Sequence, residues 1–176
     1  MRIVCEQTAA VAIDYQEKLI PVMYEKEKLM ENSKILLAGL RELGVPVTVT
    51  QQYTKGLGMT DSSLRKMIGT EQYKEKLSFS AIEEIREEVQ SKKFIILCGI
   101  EAHICVLQTL IDLKAEGFIP VLVEDCISSR TAHNKEIAIE RAKQEGAITT
   151  TYEALLFELL KKAGTETSKK IQRLVK

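Results

Sequence analysis

Net charge is the first thing this chain lacks: 25 Lys and Arg residues are matched by 25 Asp and Glu. Without net charge there is no global field to draw the protein to nucleic acid or an anionic membrane, and neither is expected as a partner. The short basic run Lys169-Lys170 with Arg173 reads as a solvated helix face. No apolar run approaches the length of a membrane span, and MRIVCEQTAA at the start carries no signal-peptide core. Paired cysteines are missing too. Cys5, Cys98, Cys105 and Cys126 are irregularly spaced with no CxxC, which argues against a disulfide framework and against a structural zinc site. They read as free thiols of a cytoplasmic protein, and neither a metal nor a cofactor is expected.

What is present is the balance of an ordinary globular domain. Hydrophobic residues make up 45% of the 176 and charged residues 28%, enough for one substantial core. Residues 8–13, TAAVAI, form a short apolar run ending at Asp14 and predict a buried strand. Leu29, Leu36, Leu40 and Leu43 fall on one helical face over residues 25–43, stopped by Gly44 and Pro46. VPVTVTQQ reads as a second strand. Residues 53–76 have Gly56, Gly58 and Gly69 and no sustained period, so they read as a long loop, either functional or disordered.

A helix follows over residues 80–89, then KFIILCG, a strand with nothing polar between Phe94 and Cys98. Residues 103–116 read as a helix largely buried against the sheet. FIPVLVED is a strand, NKEIAIERAKQEG a helix, AITTT a short strand and YEALLFELLKKAG a helix. The expected organisation is a single domain over residues 1–164 with a polar tail over residues 165–176. Strands separated by helices pair in parallel through right-handed crossovers, and apolar strands need helices on both faces. The expected fold is therefore a three-layer α/β/α sandwich.

In open α/β sheets reactive groups gather at the carboxyl ends of the strands. That rule brings Asp14, the stretch from Gly99 to Cys105, and Asp125 to one rim. Cys105 falls at the start of a helix, where free N–H groups and the dipole would lower a thiol pKa and favour a nucleophile. Cys105 as a small buried hydrophobe is an equal reading at this level. Cys98 reads as core, and Cys126 as structural. His103 lies two residues from Cys105, so on a helix the two side chains diverge.

The chain resembles the isochorismatase-like cysteine hydrolases, a superfamily that includes nicotinamidases and N-carbamoylsarcosine amidase-like enzymes. The resemblance runs through VAIDYQEKL, QQYTKGLG, EKLSFSA, GIEAHICVLQT and VEDCISSR, in that order, and spans residues 11–160. It implies a six-stranded, mostly parallel sheet and a catalytic triad of Asp14, Lys76 and Cys105. It also implies a cis peptide before Glu101 and an oxyanion hole from the backbone N–H groups of Glu101 and Cys105. Gln16, Gln51, Tyr53, His103 and Ser128 are the expected neighbours of a small-molecule substrate, and a homo-oligomer is expected.

Two departures narrow the chemistry. TQQYTKGLG has no histidine where nicotinamidases carry a metal-binding Asp-x-His, so zinc and nicotinamide are not expected. The isochorismate-cleaving branch lacks a thiol at the position of Cys105, whose presence favours attack on a small amide or related acyl C–N compound. The alternative is a non-hydrolytic or redox-responsive multimeric protein, with a Cys105–Cys126 disulfide as its signature.

Overall fold

The computed structural model describes all residues, Met1–Lys176. In chain order the elements are β1 (Thr8–Ile13), α1 (Lys26–Glu42), β2 (Val47–Gln52), α2 (Thr54–Leu57), α3 (Ser62–Ile68), β3 (Lys74–Lys76), α4 (Ile82–Val89) and β4 (Phe94–Ile100). Then come α5 (Leu107–Ala115), β5 (Ile119–Ser128), α6 (Ala132–Gln144), β6 (Ile148–Thr150), α7 (Tyr152–Leu160) and α8 (Glu166–Leu174). No helix is long and apolar enough to cross a membrane.

The six strands form one sheet in the order β3-β2-β1-β4-β5-β6, and every adjacent pair is parallel. The expected three-layer α/β/α sandwich is therefore observed. Alternation along the central strands splits the core in two. Ala10 and Ala12 of β1, with Phe94, Ile96 and Cys98 of β4, face the layer of α1, α7 and α8. Ala9, Val11 and Ile13, with Ile95 and Leu97, face the layer of α4, α5 and α6. A strand buried on both faces must be apolar throughout, which is why β1 and β4 show no polar alternation.

The loop expected over residues 53–76 is instead α2, α3 and the edge strand β3. A three-residue strand reading Lys-Glu-Lys has no hydrophobic signature; it is held by backbone pairing of Thr50–Gln52 with Lys74–Lys76. Asp61 caps α3, its carboxylate accepting from the N–H groups of Ser63 and Leu64. β5 runs past its expected end at Asp125 to Ser128, through an irregularity opposite Leu97–Gly99. The segment expected as a polar tail forms α8. Thr165 and Ser168 close a capping box at its start, and Ile171 is fully buried.

The order of strands reverses between β1 and β4, the neighbours on which chain direction across the sheet switches. Crevices form at such points, outside the carboxyl ends of the strands.

Candidate active site

Asp14 is the residue after β1, at the switch point, with a left-handed φ of 50°. Asp tolerates this conformation better than most side chains. Its Oδ1 accepts a hydrogen bond from Thr50 Oγ1 at 2.7 Å. Its Oδ2 lies 2.7 Å from the ammonium of Lys76, and neither side chain reaches solvent. Lys76 ends β3, two strands away, so backbone pairing at the sheet edge delivers it.

The ammonium has three N–H donors. They go to Gln52 Oε1 at 2.6 Å, the Phe79 carbonyl at 2.9 Å and the Ser78 carbonyl at 3.2 Å. The contact with Asp14 is thus an ion pair without an aligned proton, and Asp14 Oδ2 is buried with no hydrogen bond of its own.

Cys105 is the fourth residue of a π-helical turn, Ala102–Val106, that joins β4 to α5. The peptide Ile100–Glu101 is cis. The thiol is buried, and both Asp14 and Lys76 act on it. Its pKa is pushed up to about 12, first by burial and then by the Asp14 charge, with Lys76 pulling the other way. This overturns the expected lowering: the turn encloses the sulfur among apolar side chains beside a carboxylate, and both outweigh the helix start. At neutral pH Cys105 therefore rests as a thiol.

Gly99 lets β4 approach so closely. Its φ is 133°, and a Cβ there would collide with the carbonyl oxygen of Ile13. Beyond it, Glu101 is tied down by Arg130, whose backbone N–H and Nε both donate to Oε2 at 3.1 Å.

The remaining expected residues separate by what their polar atoms already hold. Gln16 donates to the carbonyls of Gln52 and Gly58 and accepts from the Gln52 N–H. Gln51 accepts from the N–H and hydroxyl of Thr60 and donates to Thr54. Both amides tie the loop between β2 and α3 in place. Ser128 is buried and donates to the Tyr24 carbonyl at 2.6 Å. His103 is half-buried, with Nδ1 2.9 Å from Ser129 Oγ, and Tyr53 is exposed at the end of β2.

Thr50 and Gln52 were not singled out from the sequence. Period-2 reading of VTVTQQ would have found them, since they share the strand face opposite Val49. Cys105 and Cys126 lie on opposite faces of the sheet, so the Cys105–Cys126 disulfide has no geometry to form. Cys126 instead shares a core with Cys98 and Tyr15.

A six-stranded parallel α/β/α sandwich with an acid, a lysine and a cysteine at its switch point has the form of a hydrolase fold. The chain belongs to the isochorismatase family: the Isochorismatase domain matches residues 8–154. It is 31% identical to the secreted isochorismatase effector Isc1 of Phytophthora sojae, over 99% of this chain and 87% of that one. The solved MAR1 ribonuclease of Caenorhabditis elegans superposes with a TM-score of 0.95 at 33% identity, over 99% of this chain and 92% of the other. The YcaC gene product of Escherichia coli, described as an octameric hydrolase of unknown specificity, shares the fold. Its TM-score is 0.87 at 22% identity, over 92% of this chain and 83% of that one.

Proposed function

We propose that this protein is a thiol hydrolase of small amides or related acyl C–N compounds, with Cys105 as nucleophile. The observation that carries the reading is the solvent-free Asp14–Lys76 pair beside a buried thiol at the switch point. When substrate fills the site, the thiol proton passes to Asp14 Oδ2 as sulfur attacks the carbonyl carbon. Lys76 keeps the local charge near neutral as negative charge moves from carboxylate to sulfur and on to the carbonyl oxygen. The backbone N–H groups of Glu101 and Cys105 are the proposed donors to that oxyanion. The intermediate collapses as the C–N bond breaks, and the amine leaves with the proton from Asp14. Water then attacks the thioester, giving its proton to Asp14; the C–S bond breaks, and the sulfur regains that proton.

Tyr53 and His103, which retain accessible surface, are the proposed polar walls. Leu77 and Phe79 are exposed on the loop whose carbonyls hold Lys76, and they would supply an apolar wall. We infer a small uncharged amide with an apolar substituent as substrate, since the site's own charges are internally matched. A homo-oligomer is proposed in keeping with the octameric description of the Escherichia coli relative by fold. A reducing, cytoplasmic setting is proposed from the four unpaired cysteines.

The test is a panel of small amides with released amine or ammonia detected, and a fluorescent RNA as a further arm. Turnover by the wild type that Cys105→Ala abolishes, with the fold unchanged by circular dichroism, supports the reading. Full turnover by Cys105→Ala, or cleavage confined to RNA, overturns it.

A further inference from the structure

Thr109 lies on α5, one helical turn beyond Cys105, and is completely buried. Its hydroxyl donates to the Cys105 carbonyl at 2.7 Å. Such a bond to the carbonyl four residues earlier is common for Thr in helices and by itself means little. The same hydroxyl also accepts from the backbone N–H of Ala81 at 2.9 Å. Ala81 caps α4 and ends the short loop whose Ser78 and Phe79 carbonyls hold the Lys76 ammonium.

A continuous set of contacts that does not pass through Asp14 therefore joins the Lys76 ammonium to the Cys105 turn. Lys76 donates to Phe79; two residues on, Ala81 donates to Thr109; Thr109 donates to Cys105. The two elements it joins, α4 and α5, belong to different crossovers, and no other hydrogen bond ties Ala81 to the Cys105 turn. Valine would fill the same space and make neither bond.

We propose that Thr109 is a positioning residue that fixes the Cys105 turn in register with the Lys76 cage, so that Asp14 and Lys76 act on the sulfur together. The proposal rests on the reading of Cys105 as nucleophile, but its test needs no turnover. The probe is iodoacetamide, which alkylates a thiolate with loss of iodide; the rate at Cys105 is followed by peptide mass spectrometry at fixed pH. In the wild-type background Asp14→Asn removes a neighbouring negative charge and is expected to speed alkylation about ten-fold, one pKa unit's worth. In the Thr109→Val background the same substitution is expected to give less than about a three-fold change, because coupling is lost when the shared geometry is lost. Thr109→Ser, which keeps the hydroxyl, restores the wild-type ratio.

An Asp14→Asn ratio that is the same with threonine and valine at position 109 overturns the proposal, as does a wild-type ratio near one. Should the valine variant not fold, Thr109→Ala is read in the same way. The two readings fail separately. Persisting amide turnover in Cys105→Ala removes the hydrolase reading and leaves the alkylation ratio to be measured; an unchanged ratio with Cys105-dependent turnover removes Thr109 alone.

Discussion

The Lys76 ammonium lies 2.7 Å from Asp14 Oδ2 with both side chains out of solvent. Removing two charges from water is costly, and their attraction offsets that cost only when both are present and otherwise well bonded. Here Thr50 serves the carboxylate and three carbonyl oxygens serve the ammonium. Lys76→Met leaves a buried, unpaired carboxylate and is expected to lower unfolding free energy by about 3–5 kcal/mol in urea titrations. Adding Asp14→Asn removes the stranded charge and should recover much of the loss. A double variant as unstable as Lys76→Met would show that lost packing, not the charge, was responsible.

Alkaline pH should weaken the fold through Cys105. The unfolded thiol titrates near 9.0, and the folded one is pushed up to about 12. Between those values the native state binds more protons than the unfolded state, so stability falls as pH rises; below 9.0 the contribution is complete. Cys98, fully enclosed in the sheet, is pushed up to about 12 by burial as well. Lysines titrate in the same range, so the informative quantity is a difference. The urea midpoint of Cys105→Ala should decline less steeply than that of the wild type across this window. Parallel declines would mean that the native thiol titrates near its ordinary value.

Much of this fold was legible because its central strands are continuous apolar runs and its main helices end at Gly44, Gly117 and Gly146. The edge strand carrying Lys76 was not, since Lys-Glu-Lys has no apolar face and exists only by pairing with β2. The position of Lys76 therefore came from resemblance alone. Asp14 and Cys105 were legible as strand-end and helix-start residues, because topology gathers such positions at one rim. The thiol's electrostatics were not legible: a helix start is visible in sequence, whereas enclosure and a carboxylate from another strand are tertiary facts. The amides of Gln16 and Gln51 show the same gap, since composition marks them as polar and only the fold shows them spent on backbone groups and on the Thr54 and Thr60 hydroxyls.

The last helix offers a test of where the domain ends. α8 packs on α1 and α7, and Ile171 joins the same core layer as Leu36, Leu40 and Leu156. We expect Ile171→Ala to cost about 2–4 kcal/mol, as for other buried large-to-small changes. Lys169→Ala, on the exposed face of the same helix, should change stability by no more than about 0.5 kcal/mol. Equal and small effects would make residues 165–176 a dispensable appendage.

Gly99 should be the glycine whose side chain the site cannot accept. Gly117 shares its positive φ, 89° against 133°, but an added Cβ at Gly117 meets nothing within 4 Å. Gly117→Ala therefore isolates the conformational part, about 1 kcal/mol. At Gly99 the added atom runs into the Ile13 carbonyl oxygen, which is backbone and cannot rotate away. β1 and β4 must separate where Ile13 pairs with Gly99, one residue from Asp14. Gly99→Ala is expected to cost about 3 kcal/mol and to blunt the acceleration of Cys105 alkylation by Asp14→Asn, since carboxylate and sulfur move apart. Guanidinium titration of both variants beside the wild type measures the difference. Equal losses at the two glycines would mean that the strands part freely at this point and that the close approach of β1 to β4 does not set the site.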